Sequence, residues 1–183
     1  MAVSEQDYIG LALAEPDVKW ELFHGVLRVR PQTPWEHVRT AARLCYDLQR
    51  QLSRDRYLTI AHARRLRRDE RHFFIPDVMV VPVALARELF PEPGMLASFP
   101  VPLPFVAEVW SPSTGEYDVT DKLPEYRRRG DREIWFLHPY ARTVTAWVRA
   151  PNGEYRESRY DGGIVTLSAL PGVAIDLDAL FAD

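Results

Sequence analysis

Cysteine is almost missing from this chain, with Cys45 alone among 183 residues. One thiol cannot close an intrachain disulfide, which points to a reducing, cytoplasmic setting. No apolar run reaches membrane-spanning length, and the N-terminus lacks the basic-then-apolar pattern of a secretory leader. There is no glycine-rich phosphate loop and no Gly-x-Ser-x-Gly elbow, so the common nucleotide-cradling and serine-nucleophile signatures are excluded. His37, His62, His72 and His138 are scattered without metal-ligand spacing. Charge of one sign is not in excess either. The formal net charge of -3 argues against a strong non-specific polyanion binder.

What is present describes a folded globule. The apolar content of 46% and five Trp exclude a disordered chain. The length suits one domain, residues 1–183, with a sizeable core. The basic residues cluster as Arg64-Arg65, Arg67-Arg68 and Arg127-Arg128-Arg129. Such clusters are either a solvated face or a local patch able to hold a phosphate backbone.

Periodicity and punctuation lay out the elements. A short helix is expected near Glu5–Ala14. Trp20–Phe23 and Val26–Val29 flank His24-Gly25 in a tight hairpin, so His24 reads as a turn residue. Thr33-Pro34-Trp35-Glu36 has the form of a capping box, with Thr33 as N-cap. The helix it opens runs to about Leu52 and buries Val38, Ala41, Cys45, Leu48 and Leu52. Strands follow near Tyr57–Arg65 and Phe73–Val81, then a short helix over Val83–Leu89. Five prolines between 91 and 104 make that stretch a loop. Asp118–Arg129 reads as a helix closed by Gly130, with Pro124 predicting a break inside it. Strands at Arg132–Leu137, Thr143–Val148, Glu154–Tyr160 and Ile164–Leu167 and a helical turn at Asp176–Phe181 complete the chain. The order gives an α/β fold, a mixed central β-sheet flanked by helices, without the strict alternation of a doubly wound domain.

Two acids stand where the pattern asks for apolar residues. Phe105-Val106-Ala107-Glu108-Val109-Trp110 lies between Pro104 and the Ser111-Pro112-Ser113-Thr114 turn and reads as a strand covered on both faces. An ionised Glu there is costly unless a cation, a metal or several hydrogen bonds compensate it, and a buried Arg would serve as well as an ion. Asp77 interrupts a second apolar run, Phe73–Val81, after Pro76. It either bonds backbone N–H groups at a strand bend or joins Glu108 in holding a hard divalent cation. Lys122 follows Asp118 by four residues. That spacing is either a helix-surface ion pair or a face that aims the ammonium at the carboxylates. Glu21, on the hairpin, is either a third acid of this group or an exposed side chain. Ser111, Ser113 and Thr114 read as turn and cap residues.

Taken together, several segments resemble the Uma2 family. They are Pro76-Asp77, then Ala107-Glu108-Val109-Trp110-Ser111-Pro112-Ser113-Thr114, Tyr117-Asp118, Lys122-Leu123-Pro124, Tyr126, Gly130 and Glu133-Ile134-Trp135. Trp20-Glu21-Leu22 with Gly25, and Leu170-Pro171-Gly172 with Leu177 and Leu180-Phe181, extend the likeness over residues 8 to 182. The resemblance implies a restriction-endonuclease-like fold of the PD-(D/E)XK type. It implies that Asp77 and Glu108 bind Mg2+ or Mn2+, with the Val109 carbonyl completing the shell. Trp110 stands where the standard motif has its Lys, so Lys122, on the following helix, takes that role. Glu21 matches an additional N-terminal acid. Two departures are plain: His24-Gly25-Val26 replaces the usual Asp-Gly-Glu turn, and Trp110 is aromatic where an aliphatic is usual.

The expected function is metal-dependent hydrolysis of phosphodiester bonds in nucleic acid, DNA first, with the Arg clusters contacting backbone phosphates. Its rivals are a nuclease fold used only for nucleic-acid binding or oligomerisation, and a hydrolase of another substrate. A homodimer is expected by analogy with nucleases of this fold, and no membrane partner is expected.

Overall fold

The structure is a computed structural model describing residues 2–61 and 65–182, so His62 and Arg64 lie outside the described residues. Helix α1 (Glu5–Ala14) is capped by the Ser4 hydroxyl, which accepts from the Asp7 N–H. Strands β1 (Trp20–Phe23) and β2 (Val26–Val29) form the expected hairpin, with Glu21 opposite Arg28. Its turn places His24 at φ 51° and Gly25 at φ 76°. Two successive left-handed residues match the right-handed twist of a two-residue hairpin, and this is why a Gly stands there.

Helix α2 (Trp35–Gln51) begins one residue later than the capping box requires. Pro34 is the N-cap, with ψ 163° and no side-chain cap bond, so Thr33 lies outside capping reach. The buried face is also rotated from the expected one. It holds His37, Thr40, Ala41, Leu44, Cys45 and Leu48, while Val38 is 41% exposed.

The two strands expected over 57–65 and 73–81 are four: β3 (Tyr57–Ala61), β4 (Arg65–Asp69), β5 (His72–Phe74) and β6 (Val78–Pro82). Pro76, which has no N–H to give a ladder, sits in the gap between β5 and β6 with Asp77 beside it. Helix α3 (Val83–Leu89) follows as expected. The proline-rich loop contains one short strand, β7 (Ser98–Phe99), and leads into β8 (Phe105–Val109), every residue of which is buried.

Between β8 and β9 (Glu133–His138) the chain makes a helical crossover of three pieces: α4 (Gly115–Tyr117), a π-helical segment (Asp118–Lys122) and α5 (Leu123–Arg129). Pro124 sits in the first turn of α5, where its missing N–H costs nothing. The break it predicts appears as the wide turn immediately before it. Gly130 ends α5 at φ 84°. Strands β10 (Thr143–Arg149), β11 (Tyr155–Tyr160), β12 (Ile164–Thr166) and β13 (Ala174–Asp176) and helix α6 (Leu177–Leu180) finish the chain.

The strands form mixed sheets, in the orders β2-β1-β5-β4-β7, β11-β10-β9-β8-β6-β3 and β12-β13. In the six-stranded sheet β8 and β9 run parallel, as a helical crossover demands. Alternation along those strands sends Val78, Val80, Ala107, Val109, Trp135 and Leu137 toward α2. Met79, Val81, Val106 and Ile134 pack with Leu123 and Tyr126 of α5 on the other face. Glu108 shares the parity of Val106, so it points at the crossover helix. Among the described residues no helix is long and apolar enough to cross a membrane.

Candidate active site

Four separate stretches of chain deliver charged side chains to one buried point. Asp77 is 0% exposed, Glu108 and Lys122 are each 1% and Glu21 is 2%. Glu108 comes from the centre of β8 and Lys122 from the π-helical segment that folds back over it. Lys122 Nζ lies 3.2 Å from Glu108 Oε1, 3.0 Å from Glu21 Oε1 and 3.2 Å from Asp118 Oδ1. The expected Asp118–Lys122 pair therefore exists, but inside the protein rather than on a helix surface. Glu21 is an inward-facing member of the group and also accepts a 2.7 Å hydrogen bond from the Ile75 N–H. That bond ties the hairpin to the chain just before Asp77.

Asp77 meets Glu108 through Arg30, a residue that no local pattern singles out. Arg30 Nη2 is 2.5 Å from Asp77 Oδ1 and 3.4 Å from Glu108 Oε2, and Nη1 donates to the Ile75 carbonyl. The other Asp77 oxygen accepts from the Val109 N–H at 2.8 Å and lies 3.0 Å from His37 Nε2. Val109 thus reaches Asp77 by its N–H. Tyr126 completes the Glu108 environment, its hydroxyl donating to Oε1 at 2.5 Å. The backbone-bonding reading of Asp77 holds, since it accepts from the Val109 N–H, and the atom between it and Glu108 is a nitrogen of Arg30.

His37 had a signal. It lies four, seven and eleven positions before Ala41, Leu44 and Leu48, the spacing of one helix face, so α2 carries a titratable ring on its apolar stripe. Arg30 had none, being the residue after an exposed strand and before Pro31.

Burial governs the electrostatics. It pushes the Glu108 carboxyl well above the ordinary carboxylate range, with Lys122 pulling it back and Asp118 and Asp77 adding to the rise. Asp118 is raised by burial in the same way, again against the pull of Lys122. For Lys122 burial acts downward, but Glu108, Glu21 and Asp118 outweigh it and the ammonium is held more firmly than usual. For Arg30 burial is likewise overcome, chiefly by Asp77 and Glu108. Among the described residues this cluster sets four carboxylates against two permanent cations. The two Asp118 oxygens are buried and accept no aligned hydrogen bond, although the ammonium is close.

A hard divalent cation fits this donor set in chemistry, since carboxylate oxygens are what Mg2+ and Mn2+ prefer. Asp77 Oδ1 and Glu108 Oε2 already converge on one positive atom, the Arg30 nitrogen. Among the described residues no three His, Cys, Asp or Glu side chains converge as an ion-binding set. An ion here would rest on the two acids and fill its shell with water or backbone oxygen, as Mg2+ commonly does. The Arg30 fork would have to yield its place.

A cavity reaches Glu21, Arg30 and Lys122 of the cluster, while Asp77 and Glu108 are buried behind them. A cavity of about 320 Å³ is lined by Glu21, Arg28, Arg30, Thr114, Tyr117 and Lys122, among others. Arg28 guards its mouth, with its guanidinium 4.5 Å from the Tyr117 ring centroid and 3.1 Å from Asp121. The expected roles of the Arg clusters need correction. Arg65 is buried and donates to the Tyr8 hydroxyl at 2.7 Å. Arg129 is buried on Asp131 and on the Phe99 and Val101 carbonyls. Desolvated side chains fully engaged in this way are not free for phosphate. Arg127 and Arg128 remain exposed.

Comparison with known proteins agrees with this architecture. A crystal structure described as that of "a putative nuclease belonging to DUF820 from Anabaena variabilis ATCC 29413" superposes with a TM-score of 0.79. The match covers 98% of this chain and 97% of that one, at 17% sequence identity, and so establishes a shared nuclease-like fold. No curated protein matches the chain at a significant level. The profile of the Uma2 family, described as "Putative restriction endonuclease", matches residues 6–178. With a shared fold and a family profile spanning nearly its whole length, the chain belongs to the Uma2 family of restriction-endonuclease-like proteins.

Proposed function

We propose that the protein is a metal-dependent endonuclease that hydrolyses phosphodiester bonds of nucleic acid, with DNA as its substrate. The observation that supports this reading is the approach of Asp77 and Glu108 to one atom, Arg30 Nη2, with Lys122 on Glu108 and a cavity lined by Arg30 and Lys122. Asp77 and Glu108 would hold Mg2+ or Mn2+, with the Val109 carbonyl as a further oxygen donor. The ion would polarise the scissile phosphate and acidify a bound water.

The chain's own residues do the rest. Lys122 remains an ammonium because Glu108, Glu21 and Asp118 surround it, and it offers positive charge to phosphate oxygens on the cavity side. Glu21 positions Lys122 and belongs to the machinery in that sense. Tyr126 and His37 fix the orientation of the two acids, as outer partners of ligands commonly do. Arg28 at the cavity mouth would take a backbone phosphate, which gives position without sequence information. Two copies of the chain would be needed to cut both strands in concert, and we propose a homodimer on that ground.

One observation favours a second reading, that of a binding module without catalysis. The Arg30 guanidinium fills the gap between the acids and neutralises them without an ion. The readings separate in a plasmid-cleavage assay run with Mn2+ and with EDTA. The nuclease reading expects Mn2+-dependent nicking that Glu108→Gln abolishes. Retained DNA binding in gel shifts, unaffected by Glu108→Gln and with no nicking in any metal, would establish the second reading instead.

A further inference from the structure

The face of the six-stranded sheet that carries Glu108 does not end at the buried cluster. Strand register places Glu108, Phe136, Thr145 and Arg159 in one row across β8, β9, β10 and β11. Three strand intervals make this row roughly 14 Å long. The crossover helix covers its inner end only. Beyond it lies a cavity of about 510 Å³ that begins at Glu108 and Asp118 and runs out to Arg159. That volume falls in the range typical of small-ligand sites.

Its walls are aromatic and held in place. Trp110 stacks on His138 with ring centroids 4.4 Å apart and planes 10° from parallel. The pyrrole ring of the indole lies against Gly115, where an added Cβ would meet Trp110 Nε1 at 2.0 Å. Glycine is therefore required for the indole to lie flat beneath the helix start. Phe136 packs edge-on against Trp147 at 5.1 Å, and the Trp147 N–H donates to Glu157 Oε2 at 2.8 Å. The exposed rim carries two arginines, Arg127 on the helix side and Arg159 on the sheet side, together with the Glu157 carboxylate that Trp147 holds. Arg127 is steadied over the Tyr155 ring, 5.3 Å from its centroid. The hydroxyls of Thr143 and Thr145 supply donors and acceptors on the floor.

We propose that this cavity is a nucleotide site, which takes one unpaired base of a single-stranded segment while the strand's backbone runs toward Glu108. Fixed aromatic walls suit the flat faces of any base, and exposed arginines at the rim suit its phosphates. A base inside a duplex cannot reach such a pocket, so the site selects single strands, or ends and distorted regions of duplexes. The choice of nucleic acid as ligand rests on the nuclease reading; the pocket itself does not depend on a bound metal.

The test is fluorescence anisotropy with a labelled single-stranded DNA decamer and its duplex, both in EDTA. Wild type should bind the single strand at least about tenfold more tightly than the duplex, the factor expected from one stacked base. Thr145→Trp, which fills the cavity from its floor, should remove that preference, with circular dichroism checking the fold. Arg159→Glu, on the exposed rim, should weaken single-strand binding without touching the core. Equal binding of single strand and duplex, or single-strand binding unchanged in both variants, overturns the proposal. So does equal affinity for a decamer made wholly of abasic units, which would leave only phosphate contacts. If Thr145→Trp leaves binding and Mn2+-dependent cleavage intact while Glu108→Gln abolishes cleavage, the pocket fails and the nuclease reading stands. If the variants lose single-strand binding while no cleavage is seen in wild type, the pocket stands and the nuclease reading fails.

Discussion

Two buried arginine–carboxylate clusters among the described residues, Arg129–Asp131 and Arg30–Lys122, differ in how well their charges and hydrogen bonds are matched. At Arg129–Asp131 one cation meets one carboxylate in a two-point pairing, with Nε–Oδ2 at 3.0 Å and Nη2–Oδ1 at 3.2 Å. Its remaining donors close on the Phe99 and Val101 carbonyls at 2.7 Å each, and Asp131 also accepts from the Leu103 N–H at 2.8 Å. Charge and hydrogen bonds both balance, and the cluster pins the proline-rich loop to the end of the crossover helix. At Arg30–Lys122 the counts do not balance. Four carboxylates share two cations among the described residues, and the Asp118 oxygens accept no aligned bond. A clamp that only needed to hold the fold would resemble the first cluster. The second gathers more carboxyl groups than cations beside a cavity, and burial answers the imbalance by raising the pKa values of Glu108 and Asp118.

The largest expected effect lies in activity. Lys122→Met should lower Mn2+-dependent cleavage by about 10²–10³-fold, the loss seen when one charge-stabilising group is removed. Arg129→Met should leave the single-turnover rate of the folded fraction unchanged. A comparable loss in both variants would erase the distinction between the clusters.

Stability should show the reverse. Arg129→Met leaves Asp131 buried without its partner and should cost about 3–5 kcal/mol in denaturant unfolding. Arg30→Met should cost a similar amount in EDTA but recover part of it in Mn2+, because an ion would replace the lost charge between Asp77 and Glu108. Binding to the folded state alone adds about 2.7 kcal/mol at a hundredfold excess over Kd. Recovery in Mn2+ by the Arg129 variant, or none by the Arg30 variant, would break the comparison.

A pH series sharpens it further. Folding raises the pKa values of Glu108 and Asp118, so the folded state holds protons that the unfolded chain releases. Their contribution is therefore present below the ordinary carboxylate range and is lost as pH rises through their raised values. Glu108→Gln should flatten the fall in unfolding free energy of the metal-free protein over that window. The slope remaining in Asp131→Asn, whose carboxyl burial also raises, measures how much the first cluster shares in it.

The smallest effect is expected at the surface. Arg28 and Asp121 are partly exposed and 3.1 Å apart, so Asp121→Ala should change stability by less than about 1 kcal/mol. Arg28→Ala should weaken DNA binding and reduce the salt slope by about one phosphate contact.

Much of this contrast could be read from the chain, and the unread part has clear causes. Glu108 announced itself because an acid in a doubly covered strand violates the burial rule, whereas the spacing of Lys122 left its place open and only the family resemblance singled it out. The hairpin, α3, β8 and the break before Pro124 all rest on local signals, namely turn residues, apolar runs and a missing N–H. Arg30 could not be found this way, because its partners lie 45 to 78 positions away and the strand before it faces solvent. Thr33 misled for the opposite reason. A sound local capping pattern was overruled by the extended backbone of Pro34, and the buried face of α2 includes His37. The division of 57–82 into four strands likewise depends on pairing with β1, β7 and β8, which local periodicity does not carry.

The most direct test is a crystal soaked in Mn2+ and measured at the manganese absorption edge. The account predicts one anomalous peak bonded to both the Asp77 and the Glu108 carboxylates, with the Arg30 guanidinium displaced from between them and Lys122 still beside Glu108. An undisturbed Arg30 bridging the two acids, with no manganese peak there at saturating concentration, would contradict it.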